Sequence, residues 1–317
     1  MTRRHFLKNS AAALPAVTTL PHIFAKHSLP IDAAWYQRFR RFANLPQART
    51  AYVEAGHGPA ALFIHGYPLN SYHWRGAIER LQTHRRCIAP DLMSLGLTET
   101  REGQTISPHT QAAMLAALLD HLHIDTVDLV ANDSGGLTAQ IFLSQYPNRV
   151  RSLLLTNCDV DRNSPPAGFL PLVDLARRGT LVDSFFIPQL NDKNLARSSK
   201  GLGGLAYTYP DRLTDETIDI YLRPLAQSQL RKKQLNQFTL ALAVNDLVAI
   251  RENLGQWKGP ARMVWGLKDP LFGVEWAEWL DRTFPNSRGI RRVEDANLFF
   301  PEEMPDLIAE EATHLWT

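Results

Sequence analysis

The sequence predicts an α/β protein in which helices cover both faces of a mostly parallel sheet. Short apolar, strand-like runs alternate with segments of helical periodicity, which is typical of such sheets. The runs are ALFIHG, RCIAPD, VDLVAND, SLLLTNCD and ARMVWGLKD. Four of them end in an aspartate at the carboxyl end of the strand, where open α/β sheets bind their ligands; these residues are Asp91, Asp133, Asp159 and Asp269.

The composition is that of a globular protein and excludes a disordered or fibrous one. The 317 residues are 44% hydrophobic and 21% charged, which suits one large domain with an insertion. The formal net charge of +2 is too balanced for a surface that binds nucleic acid or anionic lipid, so no nucleic-acid partner is expected. Cys87 and Cys158 lie in apolar runs and are predicted to be buried thiols. We expect no cofactor and no metal.

Residues 1–25 have the layout of a secretory signal peptide, with a basic start, a moderately apolar middle and the small residue Ala25. The pair Arg3-Arg4, followed by HFLK, resembles the twin-arginine (Tat) export signal. The alternative is an ordinary basic amphipathic helix, which Pro15 and Pro21 would break. The resemblance implies export by the Tat machinery to the periplasm or the medium. No other stretch approaches the ~18 apolar residues of a membrane span, so we expect no stable membrane insertion of the mature protein.

The rest of the chain divides into a core in two parts and a helical cap. The core is expected in residues 26–160 and 257–317, which carry the strand-like runs. Residues 161–256 show helical segments and no clear apolar strand. Because an insertion of this length needs structure of its own, we predict a helical cap over the strand ends. Its predicted helices are Leu170 to Arg178, Thr214 to Leu222 and Leu230 to Asn253.

The segment VDLVANDSGGLTAQIF has the pattern of a nucleophile elbow, in which the reactive residue lies in a strained turn between small neighbours. Two registers are possible. With Asp133 as the nucleophile, the flanking residues Ala131 and Gly135 are both small, whereas the register on Ser134 places the bulkier Asn132 at a flanking position. The first register is favoured. The alternative is that Asp133 acts only as a helix N-cap.

Together with FIHGYPLNSYHWR, APDLMSLG and VWGLKDP, this elbow resembles the α/β-hydrolase superfamily, and within it the haloalkane dehalogenase and epoxide hydrolase branch. The resemblance covers roughly residues 51–316. It implies a hydrolase for a small, mostly apolar molecule, in which Asp133 forms an alkyl-enzyme ester that water then hydrolyses. Backbone N–H groups of Tyr67 and Ser134 are the implied oxyanion hole. His65 is expected to be structural.

The resemblance also implies further site residues. The acid of the catalytic triad matches Asp269, and Asp159 is a second candidate because some dehalogenases place their acid there. Either aspartate could instead be a turn residue. Epoxide hydrolases use cap tyrosines to protonate the ring oxygen, which makes Tyr207, Tyr209 and Tyr221 secondary candidates. A tyrosine in a helical cap is, however, more often a packing residue.

The general base of the family is missing from its expected place. The histidine belongs in a loop after the last strand, here DANLFFPEE, and its position is occupied by Leu298 with Asn297 beside it. Neither side chain accepts a proton near neutral pH. The alternative to a hydrolase is therefore a non-catalytic or impaired small-molecule-binding protein on the same fold.

Two more expectations follow from differences between this sequence and the family pattern. The positions that hold the halide in dehalogenases are Ser134 and Tyr67 here, which puts halide stabilisation in doubt. Without an imidazole to link Asp133 and Asp269, burial and mutual repulsion are expected to raise the pKa of one of them. A partly protonated carboxylic acid could then take over acid–base work.

Overall fold

Within residues 33–317, which the computed structural model describes, a nine-stranded sheet forms the centre of the protein. The strand order is β1-β2-β4-β3-β6-β7-β8-β9, with β5 beside β2. The six strands from β4 to β9 in this order are parallel, while β2 is antiparallel to β1, β4 and β5. The strands are β1 (Arg40–Asn44), β2 (Ala48–Ala55), β3 (Ala60–Ile64), β4 (Arg86–Pro90), β5 (Glu99–Thr100), β6 (Val127–Asp133), β7 (Val150–Cys158), β8 (Ala261–Gly266) and β9 (Ser287–Val293).

Helices cover the sheet and fill the long connection between β7 and β8. In chain order they are α1 (Ala33–Arg38), α2 (Arg75–Leu81), α3 (Pro108–His121), α4 (Ser134–Gln145), α5 (Leu170–Arg177), α6 (Ile187–Asn191), α7 (Lys193–Arg197), α8 (Leu202–Ala206), α9 (Asp215–Leu222), α10 (Gln229–Leu242), α11 (Arg251–Gln256), α12 (Val274–Thr283), α13 (Phe300–Glu303) and α14 (Pro305–Trp316). The predicted α/β-hydrolase-type fold, with a mostly parallel sheet flanked by helices, is confirmed.

The five strand-like runs of the sequence correspond to β3, β4, β6, β7 and β8. Each has a continuous apolar sequence because helices cover both of its faces. Strand β1 was not predicted, since its sequence RRFAN leaves only one residue buried at the edge of the sheet.

The regular structure between β7 and β8 is entirely helical, from α5 to α11. The predicted helix from Leu230 to Asn253 is wrong in its length, because α10 ends at Leu242. The side chain of Asn245 accepts hydrogen bonds from the backbone N–H groups of Leu247 and Val248. A residue that bonds the nearby backbone in this way favours a turn over a continuing helix.

Three other expectations concern the chain as a whole. Cys87 and Cys158 are both free and buried, which confirms the prediction of buried thiols. No helix within residues 33–317 combines the length and the apolar character needed to cross a membrane. The predicted signal peptide, residues 1–25, lies outside the residues that the structure describes.

Candidate active site

Asp133 lies in a sharp turn between β6 and α4. Its backbone angles, φ 55° and ψ −135°, belong to a region that residues other than glycine rarely adopt. The turn is tightly packed: a Cβ on Gly135 would lie 2.5 Å from the His65 carbonyl oxygen, and one on Gly136 would lie 2.3 Å from Cβ of Cys158. Strand and helix therefore approach this closely only because both positions are glycine. The strained residue is Asp133, and Ser134 is already the first residue of α4.

Two backbone N–H groups bind the Asp133 carboxylate. The N–H of Tyr67 donates to Oδ2 at 2.7 Å, and the N–H of Ser134 also bonds the carboxylate. Burial and repulsion from Asp159 raise the pKa of Asp133 well above its usual range, and these two N–H bonds partly offset the effect. A Cβ on Gly66 would lie 2.3 Å from Oδ2, so the glycine makes room for the carboxylate.

A small cavity of about 20 Å³ opens in front of Asp133. Its polar lining consists of Tyr67, Asp133, Ser134 and Asp159. Its apolar walls are Pro165, Pro166, Phe169, Leu242, Leu271 and Phe272. The hydroxyl of Ser134 is buried and has no hydrogen-bond partner among the described residues. A cavity of this volume holds about one water molecule, so a larger ligand requires the walls to move apart.

Asp159 is the second carboxyl group of this cavity. It directly follows Cys158, which pairs with Asp133 in the parallel register of β6 and β7. Burial raises the pKa of Asp159 to about 7. Repulsion between the two carboxyl groups contributes to the raised pKa of Asp133, so a negative charge on one of them disfavours a charge on the other.

Asp269, the first candidate for the triad acid, is held by residues around it, and its charge contributes to the raised pKa of Asp133. Its Oδ2 accepts a hydrogen bond from Nδ2 of Asn157 at 2.9 Å, and its Oδ1 accepts one from the Leu271 N–H at 2.8 Å. Burial raises the pKa of Asp269 to about 6. It is not among the residues that line the cavity. Asn157 also bonds the backbone of Gly266 through both atoms of its amide, so it ties β7 to the end of β8.

Leu298, at the expected histidine position, lies in a loop that is bound to the elbow. Its carbonyl oxygen accepts a hydrogen bond from Nδ2 of Asn132 at 3.0 Å. The same amide bonds Thr156 Oγ1 at 2.8 Å. Leu298 is buried, at 3% exposed, but its side chain is not part of the cavity lining, and no histidine of residues 33–317 is either.

His65 is structural, as expected. Its Nε2 accepts a hydrogen bond from the Leu92 N–H at 3.0 Å, so Nδ1 carries the proton and donates to the Gly66 carbonyl oxygen at 2.9 Å. Burial lowers the pKa of His65 to about 4. The neutral ring with both nitrogens engaged cannot serve as the missing base.

The side chains of Tyr207 and Tyr221 belong to a second group of polar residues, around Glu302. The hydroxyls of Tyr207 and Tyr221 donate to Oε2 of Glu302 at 2.6 and 2.9 Å. The guanidinium of Arg75 pairs with the same carboxylate, and Nδ1 of His73 lies 3.6 Å from it. We call these five residues the Glu302 cluster. In the structure both hydroxyls therefore bind Glu302, and neither tyrosine lines the cavity in front of Asp133. Protonation of a leaving group by Tyr207 or Tyr221 stays a prediction.

Tyr209, the third tyrosine candidate, lies at the surface. It is 38% exposed, and the guanidinium of Arg212 stacks 4.0 Å above its ring. It does not line the cavity in front of Asp133. A proton-donor role for Tyr209 stays a prediction as well.

Sequence reasoning missed two polar residues that shape the site. Asn157 holds Asp269, and its signal was a polar pair, Thr156-Asn157, inside an otherwise apolar buried strand. Thr239 of α10 lies 2.9 Å from the Tyr67 hydroxyl. Since Thr239 donates its own proton to the Leu235 carbonyl oxygen, Tyr67 must be the donor to Thr239. No sequence pattern reveals this contact between distant segments.

A family model and one relative match most of the chain, and two other relatives match less than half of it. A family model described as alpha/beta hydrolase fold matches residues 59–303. Cis-3-alkyl-4-alkyloxetan-2-one decarboxylase of Shewanella oneidensis is 24% identical over 293 residues, 88% of either chain. Epoxide hydrolase 2 of Siraitia grosvenorii is 34% identical over 148 residues, 46% of either chain. Haloalkane dehalogenase 2 of Mycobacterium tuberculosis is 30% identical over 128 residues, 40% of this chain and 42% of that one. These last two matches span less than half of each relative.

Solved structures of similar proteins share the fold. The epoxide hydrolase CorEH superposes with a TM-score of 0.70 at 22% identity, over 87% of this chain and 98% of that one. The haloalkane dehalogenase DbeA of Bradyrhizobium elkani gives a TM-score of 0.70 at 21% identity, again over 87% of this chain and 98% of that one. At these identities the likeness concerns the fold alone.

Proposed function

Because the chain belongs to the α/β-hydrolase family, we propose that it is an enzyme of this fold that acts on a small, mostly apolar molecule through Asp133 as nucleophile. The observation that carries the proposal is the state of this one residue. Asp133 has the strained backbone of an elbow nucleophile, and its Oδ2 is bound by the Tyr67 N–H. That bond orients the carboxylate and leaves Oδ1 for attack.

The same N–H groups serve both halves of the proposed reaction. In the first half, Oδ1 of Asp133 attacks an electrophilic carbon, the leaving group departs and an ester forms. In the second half, water adds to Cγ of Asp133, and negative charge develops on Oδ2. The N–H groups of Tyr67 and Ser134 stabilise that charge where it develops. The apolar walls of the cavity favour a small apolar substrate.

Cap movement is part of this proposal. Phe169 and Leu242 belong to the segment between β7 and β8, and they help to reduce the cavity to about 20 Å³. A molecule of several carbon atoms does not fit until they withdraw. Entry therefore requires displacement of the ends of α5 and α10 from the sheet.

A binding protein without turnover is the second candidate, and Leu298 favours it. A leucine occupies the place of the general base, and loss of a positioned base typically lowers the rate by about 10²–10⁴-fold. Such a protein would retain the pocket and bind the same apolar molecules.

Intact-mass measurement with peptide mapping separates these functions. The purified protein is incubated with styrene oxide, 1-bromobutane and p-nitrophenyl butyrate, beside the variant Asp133→Asn as a control. An adduct on Asp133, or product whose formation requires Asp133, supports the proposed enzyme. An adduct on Ser134 points to an esterase with the other register. Saturable binding without adduct or product indicates the binding protein.

We also propose that the protein is exported by the Tat route to the periplasm or the medium. The support is the Arg3-Arg4 pair in the basic start of residues 1–25. Replacing both arginines by lysine tests this, with the exported fraction measured by cell fractionation. Export is expected to stop, and undiminished export of the variant contradicts the assignment.

A further inference from the structure

We infer that Asp159 transfers the proton in this active site, as acid in the first half of the reaction and as base in the second. The inference rests on the proposed role of Asp133 and deepens it. Three titratable side chains line the cavity: Tyr67, Asp133 and Asp159. With Asp133 as nucleophile, the choice lies between the other two.

Tyr67 is excluded by its hydrogen bond. Its only hydroxyl proton is donated to Thr239, whose own proton goes to the Leu235 carbonyl oxygen. Burial also raises the pKa of Tyr67 above its ordinary value. Asp269 and His65, the other titratable groups behind the elbow, have both of their polar side-chain atoms occupied. Asp159 remains.

The position of Asp159 suits the exchange of a proton with a molecule bound to Asp133. It shares the cavity with Asp133 and follows the residue that pairs with Asp133 across the two strands. Both carboxyl groups have raised pKa values, that of Asp159 about 7. The N–H donors of Tyr67 and Ser134 lie on Asp133 and favour its charged form. Attack requires Asp133 as a carboxylate, and in that state we assign the proton of the pair to Asp159.

This arrangement selects the class of leaving group. A carbon–oxygen bond breaks readily only if the departing oxygen receives a proton, whereas a halide departs without one. The cavity offers a carboxylic acid at Asp159 and the unpartnered hydroxyl of Ser134 as donors to such an oxygen. The inferred substrate is therefore an electrophile with an oxygen leaving group, such as a strained cyclic ether, rather than an alkyl halide.

The proton balance closes with Asp159 alone. Oδ1 of Asp133 attacks the ring carbon, the carbon–oxygen bond breaks, and the oxygen takes the proton of Asp159; an ester and an Asp159 carboxylate result. This carboxylate removes a proton from water as the hydroxide adds to Cγ of Asp133. The ester bond then breaks, and the alkoxide takes the proton of the new Asp133 carboxyl group, relayed by Asp159. Asp133 is again a carboxylate, Asp159 an acid, and one water has been consumed.

The test compares Asp159→Asn with the wild type and with the matched control Asp269→Asn. Alkylation of Asp133 by styrene oxide and by 1-bromobutane is followed in single turnovers between pH 5 and 9. For the wild type with styrene oxide, we expect a rate that falls about tenfold per pH unit above pH 7. Asp159→Asn is expected to lower this rate about 10²–10⁴-fold and to abolish the fall with pH, whereas the 1-bromobutane rate changes less than about tenfold. Asp269→Asn keeps the fall above pH 7.

Failure of this inference is distinguishable from failure of the proposed function. If neither probe modifies Asp133 in the wild type and neither gives product, the proposed nucleophile is wrong and the inference is lost with it. If styrene oxide alkylates Asp159→Asn at the wild-type rate with the wild-type pH profile, Asp133 remains the nucleophile but Asp159 does not transfer the proton. Loss of the fall with pH in Asp269→Asn instead assigns the proton to Asp269.

Discussion

Replacement of Glu302 by glutamine tests whether the Glu302 cluster holds the helical segment between β7 and β8 to the rest of the protein. Glu302 follows the Leu298 loop, its side chain is only 5% exposed, and it pairs with Arg75. On its other side it accepts the hydroxyls of Tyr207 and Tyr221. The variant keeps the shape and an acceptor oxygen but removes the charge, which leaves the guanidinium of Arg75 without its buried counter-charge.

The expected loss of stability in Glu302→Gln follows from the pKa of Glu302. Although burial alone raises it, Arg75 and then His73 lower this pKa to about 2, from 4.5 for an unperturbed glutamate. A carboxylate whose pKa is lower in the folded state stabilises the fold at pH values above its unfolded pKa, and this stabilisation is lost as the pH falls toward 2. Linkage gives roughly 3 kcal/mol at pH 7 and roughly 1 kcal/mol at pH 3. Breaking a buried ion pair by removing one partner costs about the same.

Urea unfolding of the wild type and of Glu302→Gln at pH 7 and pH 3 measures this difference. The matched control is Glu303→Gln, because burial raises the pKa of Glu303, so that loss of its charge removes no stabilisation. Glu303 accepts one backbone N–H, of Thr208 and of Tyr209, on each of its two oxygens, and glutamine keeps only one acceptor. The control is therefore expected to lower the free energy of unfolding by about 1 kcal/mol, the size of a single hydrogen bond, at both pH values. A loss below about 1 kcal/mol for Glu302→Gln at pH 7, or an equal loss at both pH values, refutes the reasoning.

Three further predictions concern the elbow and the cavity. Because the side chain of Leu298 does not line the cavity, Leu298→His is expected to change the rate of ester hydrolysis less than about tenfold; single-turnover decay of the adduct measures this, and a gain of about 10²-fold or more contradicts it. Asp159→Asn is expected to stabilise the fold by roughly 2–4 kcal/mol at pH 8 and not at pH 3. The pKa of Asp159 is raised to about 7 in the folded protein, so ionising this carboxyl group destabilises the fold increasingly between pH 4 and pH 7. Equal melting temperatures of variant and wild type at pH 8 would contradict this. Gly136→Ala is expected to destabilise the protein by about 1–3 kcal/mol, because its Cβ would lie 2.3 Å from Cβ of Cys158. In the control Gly255→Ala, the atom nearest to the new Cβ is 3.8 Å away. If urea unfolding shows the same loss of stability for both variants, overpacking at the elbow is not the cause.

The strands that position the site were predictable from the sequence, whereas those at the edges of the sheet were not. Strands β6 and β7 are buried on both faces and therefore read as unbroken apolar runs. Strand β9, by contrast, has no fully buried residue, and β1 has one. Their side chains are mostly polar and charged, so hydrophobic pattern does not distinguish such edge strands from loops.

The candidate site was predictable only as far as its backbone. The small residues around Asp133 indicate the tight turn, because strand and helix can approach only at such positions. The choice between Asp159 and Asp269 depends instead on side-chain partners from distant segments. Asn157 and the Leu271 N–H bind Asp269, whereas Asp159 lines the cavity, and nothing in either strand-end motif encodes that difference. The same holds for Tyr207 and Tyr221, whose partner Glu302 lies far along the chain.

The small volume of the cavity in front of Asp133 has a consequence for ligand binding under the proposed function. If a space of about 20 Å³ takes a larger molecule only after its walls move apart, only the open fraction of the protein is competent to bind. The apparent dissociation constant is then the intrinsic one divided by the open fraction. Binding is then slower than diffusional encounter. As the ligand concentration rises, the observed binding rate levels off at the rate at which the cavity walls open. Tyr67 bonds Thr239 on α10 through its hydroxyl and Asp133 through its N–H, so a displacement of α10 would connect the admission of a ligand to the residue of the proposed oxyanion hole.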